Sequence, residues 1–172
     1  VAERSGWQPR ASRTPQTGNV VTGRGVAISG LAGTVVAQVA DVEVDRTTGK
    51  VAVKKVTVAH DCGIIVNPDG LRNQIEGNVI QATSRALYEE VDFDANGVKN
   101  LDWNSYPIIR FRDVPEVDIV LINHPDMPPF GGGEASSIAT GAAIANAIAD
   151  ATGSRVHRAP FTPARLTTPR TA

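Results

Sequence analysis

Alternating apolar and polar residues mark the first structured region of the chain. Val20 to Asp45 contains two stretches rich in valine, "VVTGRGVAISG" and "GTVVAQVADVEVD", and the second alternates from face to face. The turn sequence "DRTTGK" at Asp45–Lys50 joins it to a third stretch, "VAVKKVTVAHDCG". The pattern predicts strands from Val20 onward, with an antiparallel hairpin closed by that turn.

Apolar residues next recur with the 3.6-residue period of a helix, which is predicted from about Pro68 to Glu90. Asn67 is a favourable N-cap and Pro68 suits the first helical position. At roughly 100° per residue, one side of this helix is apolar and consists of Leu71, Ile75, Val79, Ala82 and Ala86. The opposite side is built from amides, small residues and one arginine, namely Gln74, Gly77, Asn78, Gln81, Ser84 and Arg85. This side is either a solvated face or a surface that contacts another group.

The second half of the chain repeats the order of strands and then a helix. "DANG" predicts a hairpin turn between Val91–Phe93 and Val98–Trp103, and Val117–Ile122 reads as a further strand. An alanine-rich helix is expected at Ile138–Thr152, with Gly153 as its C-terminal cap. The predicted fold class is α+β, with two principal helices packed on a mainly antiparallel sheet.

Domain boundaries follow from proline and glycine content. Residues 1–19 are predicted to form an N-terminal arm or linker, residues 20–166 one domain, and residues 167–172 a tail. The chain begins at Val1 rather than at a methionine, and we interpret it as a processed or excised piece of a longer protein.

Composition excludes several classes of function. The 17 basic and 18 acidic side chains nearly balance, so nothing indicates binding to nucleic acid or to an anionic membrane. No apolar run approaches the ~20 residues that a membrane helix needs. The single cysteine, Cys62, excludes an internal disulfide and a cysteine-rich zinc or iron–sulfur site in this chain.

The stretch "PPFGGGEASSIATG" places a lone acid, Glu134, behind three glycines. A phosphate-binding loop would continue with Lys and Ser or Thr, and an acid there would repel phosphate. A dinucleotide-binding loop needs G-x-G-x-x-G directly after a strand, and that spacing fails at Ser136. Two interpretations of Glu134 remain: an ordinary acid favoured by the helix dipole, or a catalytic base held against a bound group.

Histidines offer little evidence for a metal site. His60, Asp61 and Cys62 are adjacent, but neighbours on an extended strand point to opposite faces. His124 and His157 stand alone in loop-like sequence. We predict no metal site built from these residues.

Four stretches taken together resemble a known family. They are "HDCGIIVNPDGLRNQIEGNVIQATSRALYEEV", "DWNSYPIIRF", "PPFGGGEAS" and "AAIANAIADATGSRV". They are similar to the C-terminal part of the molybdopterin-binding large subunit of molybdenum hydroxylases, the xanthine dehydrogenase and aldehyde oxidoreductase family. Their amino-acid sequences are most similar to those of the isoquinoline 1-oxidoreductase and nicotinate dehydrogenase branch. The resemblance implies that residues 20–166 are the C-terminal portion of a molybdenum-cofactor-binding domain.

The resemblance also implies roles for individual residues. Gln74 matches the glutamine of a Q-x-E-G motif that contacts the pterin cofactor, and Gln81 matches a second glutamine whose following glycines are absent here. Gly131, Gly132, Gly133 and Glu134 match a G-x-G-E motif, in which the glutamate is the general base; of the glycines, Gly132 and Gly133 are the expected cofactor contacts. Because both motifs serve one cofactor, we expect Gln74 and the loop before Glu134 to lie together on one open face.

At the level of the whole enzyme, the resemblance implies oxidation of a small aldehyde or N-heterocyclic (heteroaromatic) substrate with oxygen from water. The implied cofactor is molybdenum-molybdopterin, expected in its cytosine dinucleotide form and completed by residues outside this chain. [2Fe-2S] clusters would lie on a partner domain or iron–sulfur subunit, and a cytochrome or flavin would accept the electrons. The partners therefore include the remainder of the large subunit, and the isolated chain is expected to be inactive.

The alternative is a non-catalytic or orphaned domain with the same fold, serving assembly or interaction. The compartment stays open between cytoplasm and periplasm.

Overall fold

The computed structural model of the chain describes residues 1–9 and 16–167. Three long strands come first and are followed by a long helix, a small hairpin, a last strand and a second long helix. In chain order the elements are α1 (Ala2–Ser5), β1 (Val20–Leu31), β2 (Thr34–Asp45), β3 (Val51–Asp61), α2 (Pro68–Leu87), β4 (Phe93–Asp94), β5 (Gly97–Val98), β6 (Glu116–Ile122), α3 (Ala135–Thr152) and α4 (Pro163–Thr167).

The main sheet has the order β1-β2-β3-β6. β1 pairs with β2 and β2 with β3 in antiparallel fashion, whereas β6 joins β3 in parallel. The mainly antiparallel α+β fold is thereby confirmed, as is the hairpin at Asp45–Lys50. The parallel pair arises because a long crossover that includes α2 separates β3 from β6, and a crossover of that length returns the chain in the same direction.

Both long helices lie on one face of the sheet. α3 crosses β1 and β2, and α2 packs beside α3. Gly23 and Gly25 face α3, and a Cβ built on Gly25 would lie 2.2 Å from the Ala143 carbonyl oxygen. On the helix, Ala143, Ala147 and Ala151 follow one another at intervals of four and are buried. Small residues on both elements therefore let helix and sheet backbones approach closely.

The bounds of both principal helices differ from the prediction. α2 begins as expected, because the Asn67 side chain accepts a hydrogen bond from the Gly70 N–H at 2.9 Å, but it ends at Leu87 rather than Glu90. Tyr88 leaves the helical conformation there, and Glu90 instead pairs with Arg165. α3 begins at Ala135, three residues before the predicted start, because its first turn is built from small residues that the apolar pattern did not reveal.

The predicted hairpin is shorter than the sequence indicated. Only Phe93–Asp94 and Gly97–Val98 pair, and the expected extension to Trp103 is wrong. Asp102 explains the difference, because its carboxylate accepts hydrogen bonds from the backbone N–H groups of the two residues that follow Trp103. This local turn competes with strand pairing.

The other face of the sheet is partly covered by the N-terminal residues. Arg4 pairs with Asp118 of β6 at 2.8 Å, and the Arg24 guanidinium lies 5.8 Å from the centre of the Trp7 ring. Further along this face, Ile28 remains 72% exposed. Residues 10–15 of the predicted arm and residues 168–172 of the predicted tail lie outside the described residues. Within the described ranges, no helix is long and apolar enough to span a bilayer.

Candidate functional site

The glycine-rich loop at residues 131–134 is the last part of the connection from β6 to α3. The loop and the residue before it are held by hydrogen bonds to three distant parts of the chain. The Phe130 N–H donates to the Cys62 carbonyl at 2.8 Å, and the Thr34 hydroxyl donates to the Gly131 carbonyl at 2.6 Å. The Asn78 side-chain amide of α2 donates to the Gly133 carbonyl at 2.9 Å. The loop is therefore positioned by side chains that come from distant parts of the chain.

Gly132 and Gly133 lie against α2. A Cβ on Gly132 would stop 2.5 Å from Leu71 Cδ1, closer than real Cβ contacts allow, and a Cβ on Gly133 would lie 3.8 Å from Gln74 Nε2. The absence of side chains lets the loop pass directly over the helix. Gln74 and the loop before Glu134 lie together, as the sequence predicted, although 59 positions separate Gln74 from Gly133.

Glu134 occupies the N-cap position of α3. Its side chain is exposed and makes no capping hydrogen bond, although a polar side chain at this position ordinarily accepts one from the second or third helical N–H. The backbone carbonyl of Glu134 instead accepts hydrogen bonds from the N–H and hydroxyl of Ser137, at 3.0 and 2.8 Å. The carboxylate is thus available to a group outside this chain, and it does not serve as a cap for its own helix.

Gln74 and Gln81 project from one side of α2, about two turns apart. Seven positions correspond to nearly two helical turns, so both amides face the same direction. Both are exposed, and neither side chain forms a hydrogen bond to any residue that the structure describes. Gly77 lies on the same exposed surface, and a Cβ built there would meet nothing within 4 Å. This surface is open and presents unpaired amide donors and acceptors.

The polar side of α2 is not uniformly solvated, which corrects the sequence-based grouping. Asn78 is buried because its amide bridges the carbonyls of Gln74 and Gly133, at 2.8 and 2.9 Å. Ser84 is also buried, and its hydroxyl accepts a hydrogen bond from the Ile109 N–H at 3.0 Å. The sequence alone does not distinguish Asn78 as a structural residue of the site; an amide one turn after Gln74 is the available signal.

A buried polar cluster beneath the loop was also missed. It consists of four side chains with no exposed surface, from β2, β3 and α3, namely Gln38, His60, Ser136 and Thr140. Gln38 donates to the Ser136 carbonyl, and its side-chain oxygen lies 2.8 Å from the Thr140 hydroxyl. His60 Nδ1 lies 2.9 Å from the Ser136 hydroxyl, and burial lowers the pKa of His60, which favours the neutral ring. The inward position of Gln38, between the buried residues of an alternating strand, was the signal in the sequence.

The residues considered as metal ligands do not come together. His60 faces the helices, while Asp61 faces the opposite side of the sheet and pairs with His124 at 3.0 Å. Cys62 is buried, and burial raises the pKa of its thiol, which disfavours the reactive thiolate. In the described part of the chain, no group of three His, Cys, Asp or Glu residues is arranged to hold a metal ion.

Comparison with known proteins identifies the family. The model of the molybdopterin cofactor-binding domain matches residues 29–115. The chain belongs to the molybdenum hydroxylase family. It is 46% identical over 176 residues to one of the subunits of nicotinate dehydrogenase from Pseudomonas putida, an alignment that covers 96% of this chain and 15% of the relative. It is 32% identical to the β-chain of isoquinoline 1-oxidoreductase from Brevundimonas diminuta, covering 95% of this chain and 20% of the relative.

Solved structures of this family share the fold. Quinoline 2-oxidoreductase from Pseudomonas putida 86 superimposes with a TM-score of 0.71 at 30% identity, covering 77% of this chain and 18% of that one. Aldehyde oxidoreductase from Desulfovibrio gigas gives a TM-score of 0.69 at 32% identity, covering 78% and 15%. The chain thus spans about a fifth or less of the length of these relatives.

Replacing Asn78 should weaken the site without removing a ligand-facing group. Asn78→Ala deletes the amide hydrogen bond from α2 to the Gly133 carbonyl of the loop and a second one to the Gln74 carbonyl within α2. We expect the free energy of unfolding to fall by about 1–2 kcal/mol. Denaturant unfolding of the chain measures this. Asn73→Ala, an exposed position on the same helix, is the control and should change stability by less than about 0.5 kcal/mol. Equal values for the two variants would contradict the bridging role of Asn78.

Proposed function

We propose that this chain supplies one wall of the molybdenum-cofactor site in an enzyme that hydroxylates or oxidises a small aldehyde or N-heterocyclic substrate. Glu134 is the general base in this proposal. Gln74, Gly132 and Gly133 contact the pterin, with Gln81 as a further contact. The observation that carries the proposal is the proximity of the glycine-rich loop to Gln74. It is supported by the exposed Glu134 carboxylate directly after that loop, which makes no capping hydrogen bond.

The residues on this surface fit a pterin cofactor. Pterin rings and phosphates need hydrogen-bond donors and acceptors, and the two exposed glutamines have both without partners among the described residues. Gly77 and Gly131 leave open space where a Cβ would otherwise project. The start of α3 adds backbone N–H groups at the positive end of a helix dipole. Because no ligand cluster for a metal ion is present in the described residues, the molybdenum would be held by the pterin and not by these side chains.

The bound cofactor would supply the two-electron oxidation and the oxygen that is transferred to the substrate carbon. The chain's own contribution is proton transfer and orientation. A carboxylate oxygen of Glu134 accepts the proton that the attacking oxygen loses, which requires a separation of roughly 2.6–3.2 Å in the loaded enzyme. The glycines allow the backbone to approach the cofactor closely, while Asn78 and Thr34 fix the loop that carries the base.

The remaining components lie outside this chain. One cysteine cannot hold an iron–sulfur cluster, which needs four ligands, so the electrons would pass to [2Fe-2S] clusters on a partner domain or subunit. A cytochrome or flavin would accept them from there. The similarity to proteins that are subunits of complexes, such as the large subunit of nicotine 6-hydroxylase from Paenarthrobacter nicotinovorans, supports this arrangement. Similarity to the nicotinate and isoquinoline enzymes favours an N-heterocycle, and the cytosine dinucleotide form of the cofactor remains part of the proposal.

Cofactor content tests this proposal separately from turnover. Gln74→Ala in the full-length enzyme removes an exposed amide that has no partner within the described chain, so stability should change by less than about 0.5 kcal/mol. Loss of one hydrogen bond to the pterin should nevertheless weaken cofactor retention by about tenfold. Molybdenum per polypeptide, measured after dialysis, gives the result.

Asn73→Ala is again the control for this measurement and should retain the parent's molybdenum content. Unchanged molybdenum in Gln74→Ala would remove this glutamine from the cofactor site. Full-length protein that never carries molybdenum would favour the alternative of a non-catalytic domain.

A further inference from the structure

The three glycine carbonyls of the loop differ in how they are held. The Gly131 carbonyl accepts from Thr34 and the Gly133 carbonyl accepts from Asn78. Gly132, between them, forms no hydrogen bond to any described residue, although Leu71 packs directly against it. The middle peptide of the loop therefore lacks the anchor that its two neighbours have.

His60 lies beneath that middle position with an unused ring nitrogen. The residue has no exposed surface, and its Nε2 is one of only three buried side-chain polar atoms without a partner in the described chain. A Cβ built on Gly132 would lie 3.9 Å from this Nε2. An unpaired buried polar group is costly, so native proteins rarely keep one without a use.

The opposite ring nitrogen fixes how His60 is oriented. Nδ1 lies 2.9 Å from the Ser136 hydroxyl, in the first turn of α3. When the Ser136 hydroxyl donates to Nδ1 of a neutral ring, the ring proton resides on Nε2. His60 then presents a hydrogen-bond donor toward the one loop peptide that has no anchor.

We propose that His60 is a positioning residue whose Nε2–H anchors the Gly132 peptide, directly or through one buried water, when the cofactor is bound. Thr34, His60 and Asn78 then hold three consecutive glycines from β2, β3 and α2. The third anchor fixes the direction in which Glu134, two residues later, presents its carboxylate. This inference rests on the proposed function, since it assigns His60 to the loop that carries the base.

Two substitutions separate the two ring nitrogens. In the full-length enzyme, His60→Gln places an amide near the position of Nε2, whereas His60→Asn places one near Nδ1 and leaves the Nε2 position empty. The measurements are hydrogen exchange of the backbone amides at 131–134 in cofactor-loaded protein, kcat, and molybdenum content.

The proposal expects His60→Gln to remain within about threefold of the parent in loop exchange and kcat. It expects His60→Asn to raise loop exchange by about tenfold or more and to lower kcat by about 10- to 100-fold at similar molybdenum content. If His60 serves only to fill the core and bond to Ser136, His60→Asn should affect loop exchange and kcat less than His60→Gln does. That result would overturn the proposal. Equal effects of the two variants would also overturn it.

Two further outcomes are decisive. If His60→Asn does not fold, His60→Gln carries the test, because the proposal expects it to protect the loop and loss of that protection contradicts the proposal. Glu134→Gln in the same enzyme distinguishes failure of the proposed function from failure of the role of His60. Normal turnover in Glu134→Gln refutes the proposed function, whereas lost turnover there with parent-like His60→Asn refutes only the role of His60.

Discussion

Glu134→Gln in the full-length enzyme should lower turnover by about 10²–10⁴-fold while molybdenum content stays close to that of the parent. Gln has nearly the same shape as Glu and keeps a hydrogen-bonding oxygen, but it cannot accept the proton. The side chain is exposed and does not cap α3, so the substitution leaves the helix start intact. Steady-state rate and molybdenum occupancy, measured at one pH, give the result.

If Glu134 is only an ordinary acid at the start of a helix, a different outcome is expected. Such a carboxylate interacts with the helix dipole by about 0.3–1 kcal/mol, and its loss would leave turnover nearly unchanged. Glu3→Gln is a suitable control, because Glu3 is an exposed acid in the first turn of α1. A Glu134→Gln enzyme with full molybdenum and a rate within a few-fold of the parent would show that Glu134 is not the base.

Gly25→Ala should destabilise the chain by roughly 3 kcal/mol or more, the upper end of the usual cost of overpacking. The added methyl would lie 2.2 Å from both the Ala143 carbonyl oxygen and the Ala147 nitrogen, which are backbone atoms of α3 that cannot rotate away. β1 and α3 would have to separate, and α3 carries Glu134 at its N-terminus. Denaturant unfolding of the chain measures the loss, and cofactor content of the full-length enzyme reports its consequence for the site.

Gly141→Ala provides the matched control within α3. A Cβ at Gly141 meets nothing within 4 Å, and alanine is a better helix former than glycine, so this variant should gain about 1 kcal/mol. The same chemical change is thus expected to have opposite signs at two glycines. A Gly25→Ala variant as stable as the parent would contradict the close contact between sheet and helix.

Local periodicity by itself determined most of the secondary structure. The alternation in β2, the turn before β3 and the Asn67 N-cap all depend on neighbours within a few residues, and each was correctly predicted. The apolar side of α2 was also correct, since Ile75 and Val79 are fully buried. The residue types at Gln74 and Glu134, through their resemblance to a family, predicted one shared cofactor site. The structure places Gly133, the residue before Glu134, beside Gln74, and the roles of both side chains stay a prediction.

Only the tertiary structure decided which polar residues are buried and what holds the glycine-rich loop. His60 meets Ser136 across 76 positions, and Asn78 meets the Gly133 carbonyl across 55, so no local pattern distinguishes them from solvated residues. The same reason explains the parallel pairing of β6 with β3 and the glycine contacts beneath α3. The sequence specifies periodicity at short range, whereas the burial of a polar group depends on whether a distant partner satisfies its hydrogen bonds.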